Sequence, residues 1–589
     1  METVDLLLTD GRIIDVLYPE ILPPTSVAIN DGKIVDIGGS YKARKEINVR
    51  GKFLAPGFGD LHIHLESTMV RPKYVIKTML SHGTTYLVHD PHEAANVQGL
   101  YGIMSMLAET ENLPCYAYMT VPSCVPATPR KMGLETGGYD IGVKETEILM
   151  RCPEVVGLGE VMDILGVLNR EETIMKKMEI AKKYGKYIDG HGAGLDRADA
   201  TRYFSAGPSS DHEVTSFEEF KIRDDLGVWV YGREGSASHD LERIIPGIVK
   251  KGENTDKLAF CVDDLSAYDL IHRGHIDHCM RQSIKLGMDP AEAVRIGSYN
   301  GCRRLGKENF MGVIKEGYIA DLVVISTRNQ TEKTFDRFEV DKTIWNGKLV
   351  FSRDEGLVYS PKKKFEPVSN SVNLAKKYEP KDFTINLGPK YASKEVPVRV
   401  IGVEDETIET KELIEKMYTD KDGILHSDPE IDILPAFVVG RHSASRGNVG
   451  RGFVKGIGIK KKIPYAISSS FAHDCHNIIV TGTNPLDIST AVNKQQDIGG
   501  GIVLVEKGKV TREIPLRYFG LMSTETPEQV YNEQKMFNER LHELGSKLNS
   551  PAATLSFVPL TVIPELRLTD KGLVKNYKIV PLIVENQNN

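Results

Sequence analysis

Eight short apolar runs recur between residues 53 and 262, at intervals of roughly 20 to 40 residues, each followed by turn residues and a helix-like stretch. They are Phe53–Phe58, Thr84–Val88, Cys115–Thr120, Val155–Leu158, Tyr187–Asp189, Tyr203–Ala206, Val228–Tyr231 and Leu258–Val262. That is the spacing of repeated strand-helix units, and eight of them predict an α/β fold built on a (β/α)8 TIM-like barrel. Enzymes of this architecture place their chemistry at the C-terminal ends of the strands. Just past the runs stand His62 and His64; Asp90, His92 and Glu93; Ser123; Glu160; His191; Asp211 and His212; Arg233 and Glu234; and Asp263 and Asp264. Titratable side chains therefore gather on one predicted rim.

At 589 residues the chain is longer than one barrel requires. Residues 4 to 50 alternate apolar and polar in short runs, and Asn30-Asp31-Gly32 between two such runs reads as a hairpin. A related pattern returns at Ile344-Trp345-Asn346-Gly347-Lys348-Leu349-Val350. Residues 1–54 and 312–355 are thus expected to form one small discontinuous β-sandwich domain, with the barrel over 55–311 between its halves. Pro361-Lys362-Lys363-Lys364 marks a linker over 356–390. A C-terminal α+β domain, 391–589, is predicted to hold strands at Val398–Val403, Ile478–Thr481 and Gly501–Val505 and a helix at about 526–545. Its glycine-rich stretch, Gly447 to Gly458, lacks the third glycine of G-x-G-x-x-G and the G-K-[ST] of a phosphate loop, so nucleotide binding is not expected there.

Composition removes other classes of function. Lys and Arg number 74 against 81 Asp and Glu, a net charge of −7, so no positive field exists to attract a phosphate backbone and no nucleic-acid partner is expected. No apolar stretch reaches the length of a membrane span of about 20 residues. Met1-Glu2-Thr3-Val4-Asp5 is acidic where a secretory signal is basic and then apolar. The seven cysteines are scattered and never form C-x-x-C, which fits reduced thiols. A cytoplasmic location follows as the expectation.

In an extended segment, alternation puts His62 and His64 on the same side, about 6.5–7 Å apart along the backbone, where two imidazoles can share an ion. An isolated H-x-H carries little weight. The ordered series His-x-His, Glu160, His191, His212, Asp263, each at a predicted strand end, carries much more. Imidazoles with carboxylates suit Mn, Fe(II) or Zn rather than Mg or Ca. Glu160 has two oxygens and can bridge a pair of ions, and water between such ions ionises near neutral pH, which makes hydrolysis the natural chemistry. Asp263, beside that water, can accept its proton and pass it to a leaving group. His272, His275 and His278 form another histidine group, best read as structural because the strand-end set already accounts for a metal centre.

The series resembles that of the amidohydrolase superfamily, and in particular its adenine deaminases. The resemblance rests on His62-Ile63-His64-Leu65-Glu66-Ser67, Asp90-Pro91-His92-Glu93-Ala94-Ala95-Asn96-Val97, Val121-Pro122-Ser123-Cys124-Val125-Pro126, Gly159-Glu160-Val161-Met162, Asp189-Gly190-His191, Ser209-Ser210-Asp211-His212-Glu213, Arg233-Glu234-Gly235-Ser236 and Asp263-Asp264. It continues through Gly447-Asn448-Val449-Gly450 and Ala472-His473-Asp474-Cys475-His476-Asn477, and so covers nearly the whole chain. It implies hydrolysis of adenine to hypoxanthine and ammonia, a place in purine salvage, a small-molecule purine as partner and a homo-oligomer. It implies two divalent ions, Mn(II) or Fe(II) ahead of Zn, held by His62, His64, Glu160, His191, His212 and Asp263. Asp263, Glu160, Glu93 and His92 are the expected catalytic groups, and Glu66, Asp90, Ser210, Arg233 and Asp264 the expected purine contacts. Of the aspartate pair, Asp263 is favoured as the ligand.

Two stretches depart from the family pattern, His191-Gly192-Ala193-Gly194 and Asp263-Asp264-Leu265-Ser266-Ala267. Both fall on loops expected to line the pocket, where they bear on specificity more than on metal chemistry. The alternative substrates are another aminated heterocycle or a cyclic amide. His473, Asp474, His476 and Asn477 have three open readings: closing the site, binding another ion, or shaping a turn.

Overall fold

The computed structural model describes residues 3–236, 238–358, 371–405, 407–458 and 463–584. Residues 359–370, in the middle of the expected linker, lie outside the described residues. Five strands, Phe58–His64, Thr84–His89, Tyr116–Val121, Val155–Val161 and Tyr187–Gly190, pair side by side in parallel. Three more, Ser210–Asp211, Trp229–Arg233 and Leu258–Cys261, form a second parallel set. Thr84–His89 and Leu258–Cys261 are buried along their whole length, as strands covered on both faces must be.

The eighth strand links the two sets. Leu258–Cys261 pairs with the seventh strand, and after Val262 the chain continues as Asp263–Asp264, which pairs with the first strand through Asp263↔Ile63 and Asp264↔His64. Asp263 makes the switch at φ 57, a left-handed conformation that a side chain rarely adopts. On the other side, Ser209 N donates to Ile188 O at 2.9 Å, tying the fifth strand to the start of the sixth. The result is a parallel sheet that curls back toward its first strand.

Two of the expected strands are relocated. The run Phe53–Phe58 divides at Gly57: Phe53–Pro56 pairs with Leu322–Ser326 in the small sheet, and the first parallel strand begins at Phe58. A Cβ at Gly57 would lie 2.1 Å from Thr85 Oγ1, so the crossing requires glycine. Tyr203–Ala206 lies in the helix Arg197–Ala206, whose buried Ala200, Tyr203 and Phe204 repeat at helical spacing and whose N-terminus is capped by the Asp196 side chain. The sixth strand is instead the two residues Ser210–Asp211.

The N-terminal strands and those of 322–357 join in one nine-stranded sheet, with Phe53–Pro56 stitched between Thr3–Asp15 and Leu322–Ser326. Two of its hairpins turn at Asp31-Gly32 (φ 48 and 74) and Asn346-Gly347 (φ 48 and 72). Positive φ at both central residues gives the turn that matches strand twist.

Beyond residue 371 an eight-stranded sheet carries the helices Pro485–Ile498 and Pro527–Leu544, followed by a three-stranded sheet over Leu566–Val580. The glycine-rich stretch becomes the strand Val449–Lys455, paired along its length with Ile433–Val439. A Cβ at Gly450 would lie 1.7 Å from Thr569 O, so its glycine admits a close backbone approach by the three-stranded sheet. One apolar core runs from Val70, Val75 and Met79 near the parallel sheet into Phe519, Leu521 and Met522. No helix among the described residues is long and apolar enough to cross a membrane.

Candidate active site

Strand ends bring the series together. His64 Nε2 stands 3.0 Å from Asp263 Oδ1 and 3.3 Å from Glu160 Oε1. His62 Nε2 lies 3.2 Å from His64 Nε2 and 3.5 Å from Asp263 Oδ1. The second oxygen of Glu160 is 2.8 Å from His191 Nδ1 and 3.3 Å from His212 Nε2. One carboxylate thus presents an oxygen to the pair from the first strand and an oxygen to the pair beyond the fifth and sixth strands. His92 Nδ1, 3.4 Å from Glu160 Oε1, faces the first of these oxygens as well.

Outer contacts aim the rings. His62 Nδ1 is 3.0 Å from Asp189 Oδ2, whose other oxygen accepts from the Ser210 hydroxyl at 2.5 Å. His64 Nδ1 is 3.0 Å from the Asp90 carbonyl. Each contact leaves Nε2 for the centre, the usual arrangement of a metal-ligating histidine. Asp90 Oδ2 accepts from Glu160 N at 3.2 Å, and a Cβ on Gly159 would lie 2.0 Å from that oxygen, so the Gly159-Glu160 pair is dictated by Asp90.

The electrostatics favour positive charge. Burial opposes a charge on His62, yet Asp189, Asp263 and Glu160 outweigh it and raise the imidazole to about 10. His191 rises against burial to about 9 through Glu213 and Glu160. Burial pushes Glu160 and Asp263 up, but His191, His212 and His64 hold Glu160 well below the usual carboxylate range, and His62, His64 and Arg233 do the same for Asp263. Both ring nitrogens of buried His212, and Nδ1 of His92, lack a hydrogen-bond partner among the described residues. Orphaned imidazole nitrogens among ionised carboxylates are the donor set a transition-metal ion satisfies. Three-residue groups within ligand reach include His62, His64 and Asp263; His64, His92 and Glu160; Glu160, His191 and His212; and also His62, Asp189 and His212, and His92, Glu93 and Asp474.

Above the cluster opens a cavity lined by His64, His92, Glu93, Glu160, His191, Glu213, Arg233, Asp263, Asp264, His473 and Asp474, with Ile408, Phe557, Leu560, Val562 and Ile563 as its apolar wall. Arg233 Nη1 bonds Glu213 and lies 2.9 Å from Asp263 Oδ2, leaving Asp263 Oδ1 toward the histidines. Asp264 accepts from the Ser67 hydroxyl. Glu93 is gripped from the C-terminal part by His473 Nδ1, 2.7 Å from Oε1, and by His476 Nε2 at Oε2. Burial pushes Glu93 up, and His476, His473 and His92 bring it well below the usual range. Burial pushes Asp474 up to about 7.

Three expected purine contacts do not reach this cavity. Ser210 is fully buried and spends its hydroxyl on Asp189, with Arg304 donating to it at 2.9 Å. Asp90 braces Glu160 as described. Glu66 accepts from Ala94 N at 3.1 Å and is fully buried in the turn Leu65–Thr68. His272, His275 and His278 stand apart from the cluster: His275 bonds Asp60 and Thr84, His278 bonds Arg273, and His272 stacks on Tyr268. Sequence reasoning missed Asp189 and Glu213 as site residues, although both sit beside motif histidines. It had no signal for Phe557, Leu560, Val562 and Ile563, because an apolar pocket wall reads like core.

Residues 53–350 match the model of the amidohydrolase family, and residues 407–578 match that of the adenine deaminase C-terminal domain. An adenine deaminase of Staphylothermus marinus is 37% identical over 591 residues, covering 98% of this chain and 95% of that protein. One of Dehalococcoides mccartyi is 38% identical over 579 residues, with 98% and 96% covered. One of Halalkalibacterium halodurans is 37% identical over 577 residues, with 97% and 94% covered. Among solved structures, an adenosine deaminase from Xanthomonas campestris with bound Zn aligns with TM-score 0.45 at 15% identity, over 61% of this chain and 95% of that one.

Proposed function

The chain belongs to the adenine deaminase family of amidohydrolases, and from that premise we propose how its own side chains hydrolyse adenine to hypoxanthine and ammonia. The observation that carries the proposal is the placement of Glu160, one oxygen toward His62, His64 and His92 and the other toward His191 and His212. His62, His64 and Asp263 would hold one divalent ion and His191 and His212 a second, with Glu160 between them and His92 as a further donor. Mn(II) or Fe(II) suits this mixed imidazole and carboxylate set, and Zn is the next candidate. When bound, such ions lower the pKa of water toward 7 and so supply a nucleophile at neutral pH.

The protein residues do the rest. The attacking oxygen adds to C6 of the purine and gives up its proton to Asp263, which Arg233 holds by its other oxygen. Asp263 returns the proton to the exocyclic nitrogen, which leaves as ammonia as the C6–N bond breaks and the C6 carbonyl of hypoxanthine forms. Of the water's two protons one thus leaves with the ammonia; the other passes by way of Glu93, 3.5 Å from His92, to the ring nitrogen as C6 is attacked and stays there as the N–H of hypoxanthine. Arg233, Asp264 and the apolar wall from Phe557 to Ile563 orient the flat substrate. On the same reading the curled sheet is a closed (β/α)8 barrel over 55–311, between the halves of a small β domain, 1–54 and 312–355, with a linker over 356–390 and the C-terminal α+β domain over 391–589.

The test is to strip the protein with a chelator, reload it with Mn(II) or Fe(II), supply adenine, and measure hypoxanthine and ammonia together. Equal yields that vanish on chelation and return with metal are expected. Turnover of a hydantoin or a dihydropyrimidine in place of adenine would overturn the substrate assignment.

A further inference from the structure

We infer that His476 is a positioning residue for the reaction, acting from the C-terminal part of the chain by holding the Glu93 carboxylate in place. Glu93 lies in the first turn of the helix His92–Thr110 and is 1% exposed. Its two oxygens are bonded by two imidazoles that lie more than 350 residues away in the sequence, His473 Nδ1 at 2.7 Å on Oε1 and His476 Nε2 on Oε2. His476 Nδ1 accepts from Ala472 N at 3.0 Å, which places its proton on Nε2 and makes the ring a donor to Glu93.

The ring is itself fixed. His476 N donates to Ala472 O at 2.8 Å, its carbonyl accepts from Arg441 Nε, and the neighbouring Asn477 Oδ1 accepts from Arg441 N at 3.2 Å and from the Ser445 hydroxyl at 2.8 Å. Arg441 is fully buried, so this turn is anchored in the C-terminal core. Unlike His473 and Asp474, His476 does not line the cavity above the cluster. It reaches the reaction through Glu93: without it His473 alone would hold the carboxylate, by Oε1, and Oε2 would lose the contact that fixes the plane of the group. The C-terminal part is thereby a contributor to catalysis and not merely a cover. This inference rests on the catalytic reading of Glu93.

The experiment is a double-mutant cycle on Mn(II)-loaded full-length protein, measuring kcat, KM and metal content for Glu93→Gln, His476→Ala, His476→Gln and the combinations. His476→Ala is expected to lower kcat about 10²-fold, the lower end of what a displaced acid-base group costs, with KM and metal content held within about threefold. In the Glu93→Gln background the same change should cost less than about threefold more, because the group it positions is already lost. His476→Gln, whose amide can still donate, should recover much of kcat; it also serves if the alanine variant does not fold. Losses that multiply across the cycle, or equal losses for His476→Gln and His476→Ala, would overturn the inference. An unchanged kcat in Glu93→Gln alone would instead remove the reading of Glu93.

Discussion

A carboxylate that serves two groups of imidazoles has no neutral replacement, because an amide turns one acceptor oxygen into a donor. In Glu160→Gln the NH2 would face either His64 and His92 or His191 and His212. We expect bound metal to fall below one equivalent and ammonia release to drop by about 10²-fold or more, read by elemental analysis and a coupled assay. Full metal and full rate in this variant would remove Glu160 from the centre. Its neighbour is constrained from the other side. Gly159→Ala places a methyl group where Asp90 Oδ2 now sits, 2.0 Å away, so the carboxylate that receives Glu160 N must shift. The overpacking costs about 1–3 kcal/mol, and the expected signature is a lower melting temperature together with weaker metal retention. The residues that converge on Glu160 were legible in the sequence because a hydrolytic metal centre on this architecture draws on His, Asp and Glu at strand ends. The supports were less legible: Ser210 and Asp90 look like pocket residues in a motif, and only their hydrogen bonds show that they face inward to Asp189 and Glu160.

At the scale of elements, the repeated apolar runs located six of the eight strands of the curled sheet; all but the last residue of Phe53–Phe58 falls before the first parallel strand, which begins at Phe58. They failed at Tyr203–Ala206, since four apolar or small residues fit a helix face as well as a strand and the two-residue strand after it is too short to leave a pattern. The hairpins were legible because Asp-Gly and Asn-Gly demand positive φ at both turn residues. What joins them was not, since pairing across the intervening sheet depends on Phe53–Pro56 meeting Leu322–Ser326. Beside that seam Asp321 accepts from Asn346 N at 2.7 Å through one oxygen, while the other has no hydrogen-bond partner among the described residues. Burial raises its carboxyl to about 7. Below about pH 4 the folded and unfolded chains both hold this proton; between about pH 4 and 7 only the folded chain does, so stability falls as pH rises through that window and levels off above it. Asp321→Asn keeps the acceptor for Asn346 and removes the titration. Its melting temperature should match the parent near pH 4 and exceed it by pH 8, by the equivalent of about 2–4 kcal/mol, as followed by thermal denaturation across that range. A difference that does not change with pH would show that Asp321 does not titrate as its burial requires.

The whole molecule is held across the active site by two latches. On one side Ser523 N donates to Met69 O at 2.7 Å and Tyr518 lies under the Arg71 guanidinium, 5.4 Å from ring centroid to Cζ. On the other, Thr136 N donates to Asp570 at 2.9 Å, Thr561 bonds Glu135 at 3.0 Å, and Asn477 Nδ2 reaches Thr136 O at 2.9 Å. Since Glu93 is bonded from the C-terminal part, opening these latches would by itself dissolve the site, whatever the state of the curled sheet. The chain provides separate reporters for the two events. Its two tryptophans, Trp229 and Trp345, lie in the parallel sheet and the small sheet, and Cys475 is the single cysteine beyond residue 371. Burial, with Glu135 and Asp570 nearby, raises the Cys475 thiol well above its ordinary range, so it is inert while the latch is closed. If the shared core makes the two parts one cooperative unit, Cys475 labels, by peptide mapping of alkylated thiols, only over the urea range in which the tryptophan emission shifts. Activity should be lost over that same range. Cys475 labelling together with loss of turnover at lower urea, while the emission is still native, would show instead that the C-terminal part lifts away first and takes the grip on Glu93 with it.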